Sequence, residues 1–117
     1  MAQQQQNFVM FAGDTKTLRV TVRDNEDNAV DLTSASIKWE CGRSYGKAST
    51  ISKATGGSGI TITDATGGEF EVLLDADDTE DQAGVFYHEA EVTFSDDTIS
   101  TVLSGTMTVQ RVLIEAT

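Results

Sequence analysis

The sequence predicts an all-β domain, a single antiparallel β-sandwich of seven to eight strands. Three observations lead there. Apolar residues recur at every second position, as in Leu18, Val20 and Val22 or Ile37, Trp39 and Cys41, which is the spacing of a strand with one buried face. No segment sustains a helical period. Clusters of Gly, Asp and Asn separate the alternating runs, and the 117 residues contain no proline, so the turns rest on residues that tolerate a left-handed backbone.

Taken in order, residues 1–7 form a glutamine-rich arm. Gln3, Gln4, Gln5 and Gln6 bury no apolar surface, so mobility is the default for such a tail. An ordered arm would imply a hold from outside the domain. The sandwich is expected over residues 8–117. Phe8, Val9, Met10 and Phe11 are continuously apolar, which fits either a first strand buried on both sides or a patch covered by a neighbouring subunit. A strand ends at Arg23, and Asp24 to Asn28 read as a hairpin or tight loop. Asp31 to Ser34 form a short crossover to the strand that carries Trp39.

Residues 41–59 hold five glycines and form the longest irregular stretch, with a weak strand expected near 48–51. Arg43, Ser44 and Tyr45 there are a candidate binding loop. Asp64 to Gly68 mark a hairpin that pairs the strands of Ile62 and Phe70. The acidic run from Asp75 to Gly84 is expected to carry the chain from one sheet to the other, with Phe86 or Tyr87 anchoring the new strand. A last strand runs from Thr98 to about Val112, with Ile99, Leu103, Met107 and Val109 facing inward.

The 19 acidic residues against 8 basic ones give a net charge of −11. Such a surface repels phosphate, so nucleic acid is not an expected partner. A single cysteine permits no internal disulfide, and the first residues lack the basic and apolar regions of a signal peptide, so synthesis in the cytoplasm is expected. No apolar run approaches the roughly 20 residues that span a bilayer, so no membrane partner is expected.

Candidate chemistry is sparse, and no catalytic residue, metal site or cofactor is expected. The acidic loop from Asp75 lacks the glycine and the bidentate glutamate of a calcium loop, Phe86 standing where the glutamate would be. His88, the single histidine, shares a face with Phe86, Ala90 and Val92, as a structural imidazole would. Cys41 lies on the apolar face beside Ile37 and Trp39, where a thiol is inert. Trp39 is a core residue by its alternation, although tryptophan is also a stacking platform for carbohydrate. Glu69, Glu71, Glu89 and Glu91 point outward and read as solubility and register devices rather than an acid/base pair.

Several stretches together resemble a known class. Phe11-Ala12-Gly13-Asp14-Thr15 leading into Leu18-Arg19-Val20-Thr21-Val22, followed by Val30-Asp31-Leu32-Thr33-Ser34-Ala35, is similar to the opening of immunoglobulin-like β-sandwich domains in tailed-bacteriophage structural proteins. The amino-terminal domain of baseplate upper proteins is among these. Gly59 to Asp64, Gly84 to Glu89 and Thr101 to Thr106 extend the resemblance over nearly the whole chain. It implies an immunoglobulin-like fold and a place in the virion. The sequence departs from the baseplate pattern in ending after one domain, without a segment for a receptor-binding tip, which favours an accessory role.

The resulting expectation is a non-enzymatic structural protein of a tailed-phage particle. It would be an accessory or decoration (cement) protein of the head, or a neck, tail or baseplate component, binding other virion proteins. The expected assembly interface is Gln3, Gln4, Gln5, Gln6, Phe8, Met10 and Phe11 with Val112, Leu113 and Ile114, and a homo-oligomer is an allowed partner. The alternative is a glycan- or surface-binding adhesion module that uses the loop of Arg43, Ser44 and Tyr45.

Overall fold

The computed structural model describes residues 4–44, 46, 49–57 and 59–111. Within them lie nine strands: β1 Gln4–Gln5, β2 Phe8–Phe11, β3 Lys16–Thr21, β4 Ser36–Gly42, β5 Ile51–Ala54, β6 Ile60–Asp64, β7 Glu69–Leu74, β8 Gly84–Thr93 and β9 Ile99–Gln110. One helical turn, α1, covers Ala76–Thr79. The smaller sheet has the order β3-β7-β6, and the larger runs β9-β8-β4-β5 with both β1 and β2 laid along β9. All pairs are antiparallel except those of β1 and β2, which run parallel to β9. Three strands opposite a larger sheet, joined by this connectivity, make an immunoglobulin-like sandwich.

Period-two alternation explains most of the frame. In β4 the buried residues are Ile37, Trp39 and Cys41, in β7 Phe70, Val72 and Leu74, and in β8 Phe86, His88, Ala90 and Val92. These side chains meet between the sheets in one core. The two hairpins stand where the Gly/Asp/Asn clusters place them. Ile62 pairs with Phe70 across the turn at 64–68, and Arg23 bridges to Ala29 across the loop whose Asp24 carboxylate accepts the amides of Glu26 and Asn28. The acidic run after β7 does carry the chain to the larger sheet, and Phe86, fully buried, is its anchor, while Tyr87 faces outward.

Four details differ from the sequence reading. The arm is held by the domain itself: Gln4 and Gln5 pair with Leu103 and Ser104 of β9, whose edge offers backbone groups in register. The segment Phe8–Phe11 is buried on one side only, since it is the edge strand and Val9 and Phe11 stay exposed. The weak strand lies at Ile51–Ala54, after an irregular connection that fills only part of 41–59. Its inward positions are Ile51 and Lys53, and a lysine at an inward place erases the alternation. Ile99 points outward because a bulge at Ala90/Glu91 leaves Val102 as an extra residue, so that Val102 and Leu103 are both buried and the parity of β9 flips.

Lys53 is the largest departure from pattern. Its ammonium reaches the Asp78 carboxylate at 2.8 Å, and both side chains are largely buried. Asp78 also accepts the Asp75 amide at 2.7 Å, which caps α1, and the buried Thr79 hydroxyl accepts the Gly13 amide at 3.0 Å. One helical turn thus pins the edge strand β5 and the turn after β2 to the same end of the sandwich.

Candidate functional site

Strand β8 separates two environments. Its inward side carries His88 into a chain of hydrogen bonds. Trp39 Nε1–H donates to His88 Nδ1 at 3.1 Å, and His88 Nε2 lies 2.8 Å from the Gln6 carbonyl. An indole only donates and a carbonyl only accepts. The ring is therefore the neutral tautomer with its proton on Nε2. Burial lowers the His88 pKa below its ordinary value, opposed by the bond to Gln6. Protonation would set a second N–H against that of Trp39.

The arm is shaped to meet this ring. Gln4 pairs with Leu103 and Phe8 with Met107, so the register is the same on both sides of Gln6 and Asn7. Between them the Gln6 carbonyl turns inward over Gly105, where any Cβ would overlap it and would come 2.7 Å from the Gln6 carbonyl carbon. Asn7 Oδ1 replaces the missing ladder acceptor by taking the Thr106 amide at 2.9 Å. The Gln6 side chain spans to the other sheet, donating to the Arg19 carbonyl at 3.1 Å. Phe8 packs edge-on against His88, its ring centroid 5.3 Å away. Lys16 Nζ stands 5.3 Å from the centre of the Phe8 ring.

The outward side of the larger sheet is different. Cross-strand partners stack in rows: Phe11 with Gln110, Val9 with Thr108 and Val85, Thr106 with Tyr87 and Gly42, then Gln5 with Ser104, Glu89 and Glu40. Val9, Phe11, Val85 and Tyr87 are 57%, 49%, 51% and 40% exposed and share one end of this face. Val9 and Val85 flank Thr108 of β9 in one row, so the exposed apolar residues cluster at this end of the face with polar β9 side chains between them. Next to the cluster, Glu40 and Glu89 are direct cross-strand partners. Like charges so placed destabilise a sheet. Beside them is a cleft of ≈ 130 Å³ lined by Glu40, Gly42, Ser44, Ser49, Tyr87 and Glu89 among others.

Of the expected interface, Gln4, Gln5, Gln6, Phe8, Met10 and Phe11 come together along β9, but for different ends. Met10 is core, Phe8 and Gln6 serve the His88 clasp, and Phe11 is exposed. Gln3, Val112, Leu113 and Ile114 lie outside the described residues, as does Tyr45. Arg43 is engaged internally: Nη2 donates to the Ala83 carbonyl and the guanidinium sits 4.4 Å from the centre of the Phe86 ring, closing the end of the core. Ser44 lines the cleft. Trp39 is fully buried and offers no stacking surface. Cys41 is buried too, and burial pushes its thiol up to about 11. Val9 belongs to the Phe8–Phe11 segment already read as a possible contact patch, whereas Val85 and Tyr87 enter only with the structure, although they break polarity on the outward side of a strand whose other outward residues are Glu89 and Glu91. Among the described residues no group of three or more His, Cys, Asp and Glu is arranged to hold a metal ion, and no helix is long and apolar enough to cross a membrane.

No family model matches the chain, and no curated protein matches its sequence. Among solved structures Tim-1 is similar at a TM-score of 0.46 and 13% identity, over 99% of this chain and 100% of its own. That likeness is too loose to bear on function, and the fold assignment stands on the strand order.

Proposed function

We propose that this chain is a non-enzymatic structural protein of a tailed-phage particle, an accessory or decoration protein of the head or a neck, tail or baseplate component, docked on other virion proteins through the outward face of its larger sheet. The resemblance of Phe11 to Ala35, Gly59 to Asp64, Gly84 to Glu89 and Thr101 to Thr106 to virion sandwich domains supports the setting. The observation that carries the docking is the cluster of Val9, Phe11, Val85 and Tyr87, four exposed apolar side chains on one sheet face. They are not part of the core, which closes on the other side of the same strands.

The test is density-gradient sedimentation of a lysate from the infected host, with the protein detected by antibody and located on particles by gold labelling. It is expected to travel with particles at fixed stoichiometry. Recovery only at the top of the gradient would overturn the reading.

A further inference from the structure

We propose that the partner surface is basic as well as apolar: a protein segment with an apolar side chain for the Val9–Val85 cluster and an arginine or lysine for the Glu40–Glu89 cleft. This deepens the docking proposal and rests on it. The two halves of the site lie on one strand. Val85 and Glu89 are four residues apart on β8, so at about 3.3 Å per residue the apolar anchor and the cation should be separated by roughly 13 Å.

Charge selects the occupant. Glu40 and Glu89 stand directly opposite each other, an arrangement unfavourable in the free protein. The repulsion between them is relieved by a cation seated in the cleft, whose walls add Tyr87, Ser44 and Ser49. Neither glutamate has a basic cross-strand partner in its own row: Glu89 is flanked by Ser104 and Glu40, and Glu40 by Glu89 and Ser52. By contrast Glu91 pairs with Lys38, and Arg19 reaches Glu71 at 3.1 Å. Among the described residues Glu40 and Glu89 therefore form an acidic row with no basic residue directly opposite either of them, Lys38 standing one outward pair further along, opposite Glu91. A second copy is disfavoured as occupant, since two chains of net charge −11 bring like charge to the contact.

The probe is a pair of short extended peptides, each with phenylalanine at one end and three threonines, ending in arginine in one and glutamate in the other. They are titrated into the ¹⁵N-labelled protein in low salt and again at high ionic strength. The arginine peptide is expected to shift the amides of Val85, Tyr87, Glu89 and Glu40 and to bind about tenfold more tightly than the glutamate peptide. Salt should erase most of that difference. The double variant Glu40→Gln/Glu89→Gln should lose the preference while keeping the fold. Equal binding of both peptides, shifts centred elsewhere, no shift at millimolar peptide, or a dimer of the free protein that Val85→Asp abolishes would each overturn the proposal. Loss of particle binding in Val85→Asp with full binding in the double glutamine variant would overturn the basic partner while leaving apolar docking intact.

Discussion

Alternate residues of β8 live under opposite rules. On the inward side Phe86, His88, Ala90 and Val92 are buried, and the one polar group among them has a partner for each ring nitrogen. On the outward side Val85 and Tyr87 are exposed apolar groups beside the unfavourable Glu40–Glu89 pair. Every inward residue is accounted for by folding. On the outward side Val85 and Tyr87 stay 51% and 40% exposed on a strand whose other outward residues are Glu89 and Glu91, and a docking face would account for that asymmetry.

The comparison breaks if the two sides respond alike to substitution. Phe86→Ala should cost about 3–5 kcal/mol, as for a buried aromatic in a closed core, whereas Val85→Ala should stay within about 0.5 kcal/mol. Chemical denaturation of both variants checks this. A second contrast is between buried and exposed ion pairs. Asp78→Ala strands the Lys53 ammonium in the interior and should cost about 3–5 kcal/mol, while Glu71→Ala at the exposed Arg19 pair should cost about 1 kcal/mol or less.

Smaller effects sharpen the account of the arm. Gly105→Ala places a methyl on the Gln6 carbonyl and should cost about 1–3 kcal/mol. Hydrogen exchange should rise for the Gln6 and Thr106 amides before that of the β4–β8 pairs. Acidification acts through His88. Its folded pKa lies below the ordinary value near 6.5, so the unfolded chain binds its proton first. The stabilising contribution is complete above about 6.5 and is lost as pH falls from there toward the folded pKa. Urea midpoints measured between pH 7 and 5 should fall, and His88→Gln should flatten that slope. Asp24, Asp31 and Asp96 are held below the usual carboxylate value of 3.8 by hydrogen bonds from neighbouring residues in their turns. Their effect therefore belongs to a separate and more acidic range.

The contrast also explains what could be read from the sequence. Local rules were enough for β3, β4, β7 and the inward face of β8, because alternation and turn residues act within a few positions. The Ile62–Phe70 hairpin and the sheet-to-sheet run from Asp75 followed from the same rules. Missing were features made by distant residues. The arm pairs with β9, about a hundred residues later, and no local pattern encodes that choice. The bulge that turns Ile99 outward depends on β8 opposite it. Lys53 is tolerated inside only because Asp78 arrives from α1. As for the site, the use of the arm was not legible from its composition, which suggests a hold from outside the domain, whereas Gln4 and Gln5 pair with β9 and the Gln6 carbonyl meets His88. Nor was the apolar cluster, because it is assembled from β2 and β8, which meet only through β9 between them.

The most direct measurement of the docking face is co-sedimentation of purified particles with the wild-type protein and with Val85→Asp, alongside thermal melts of both. The variant is expected to melt within about 4 °C of wild type, since the site is exposed, and to lose particle binding at least tenfold. Unchanged particle binding by a folded Val85→Asp protein would contradict a docking role for the outward face of the larger sheet.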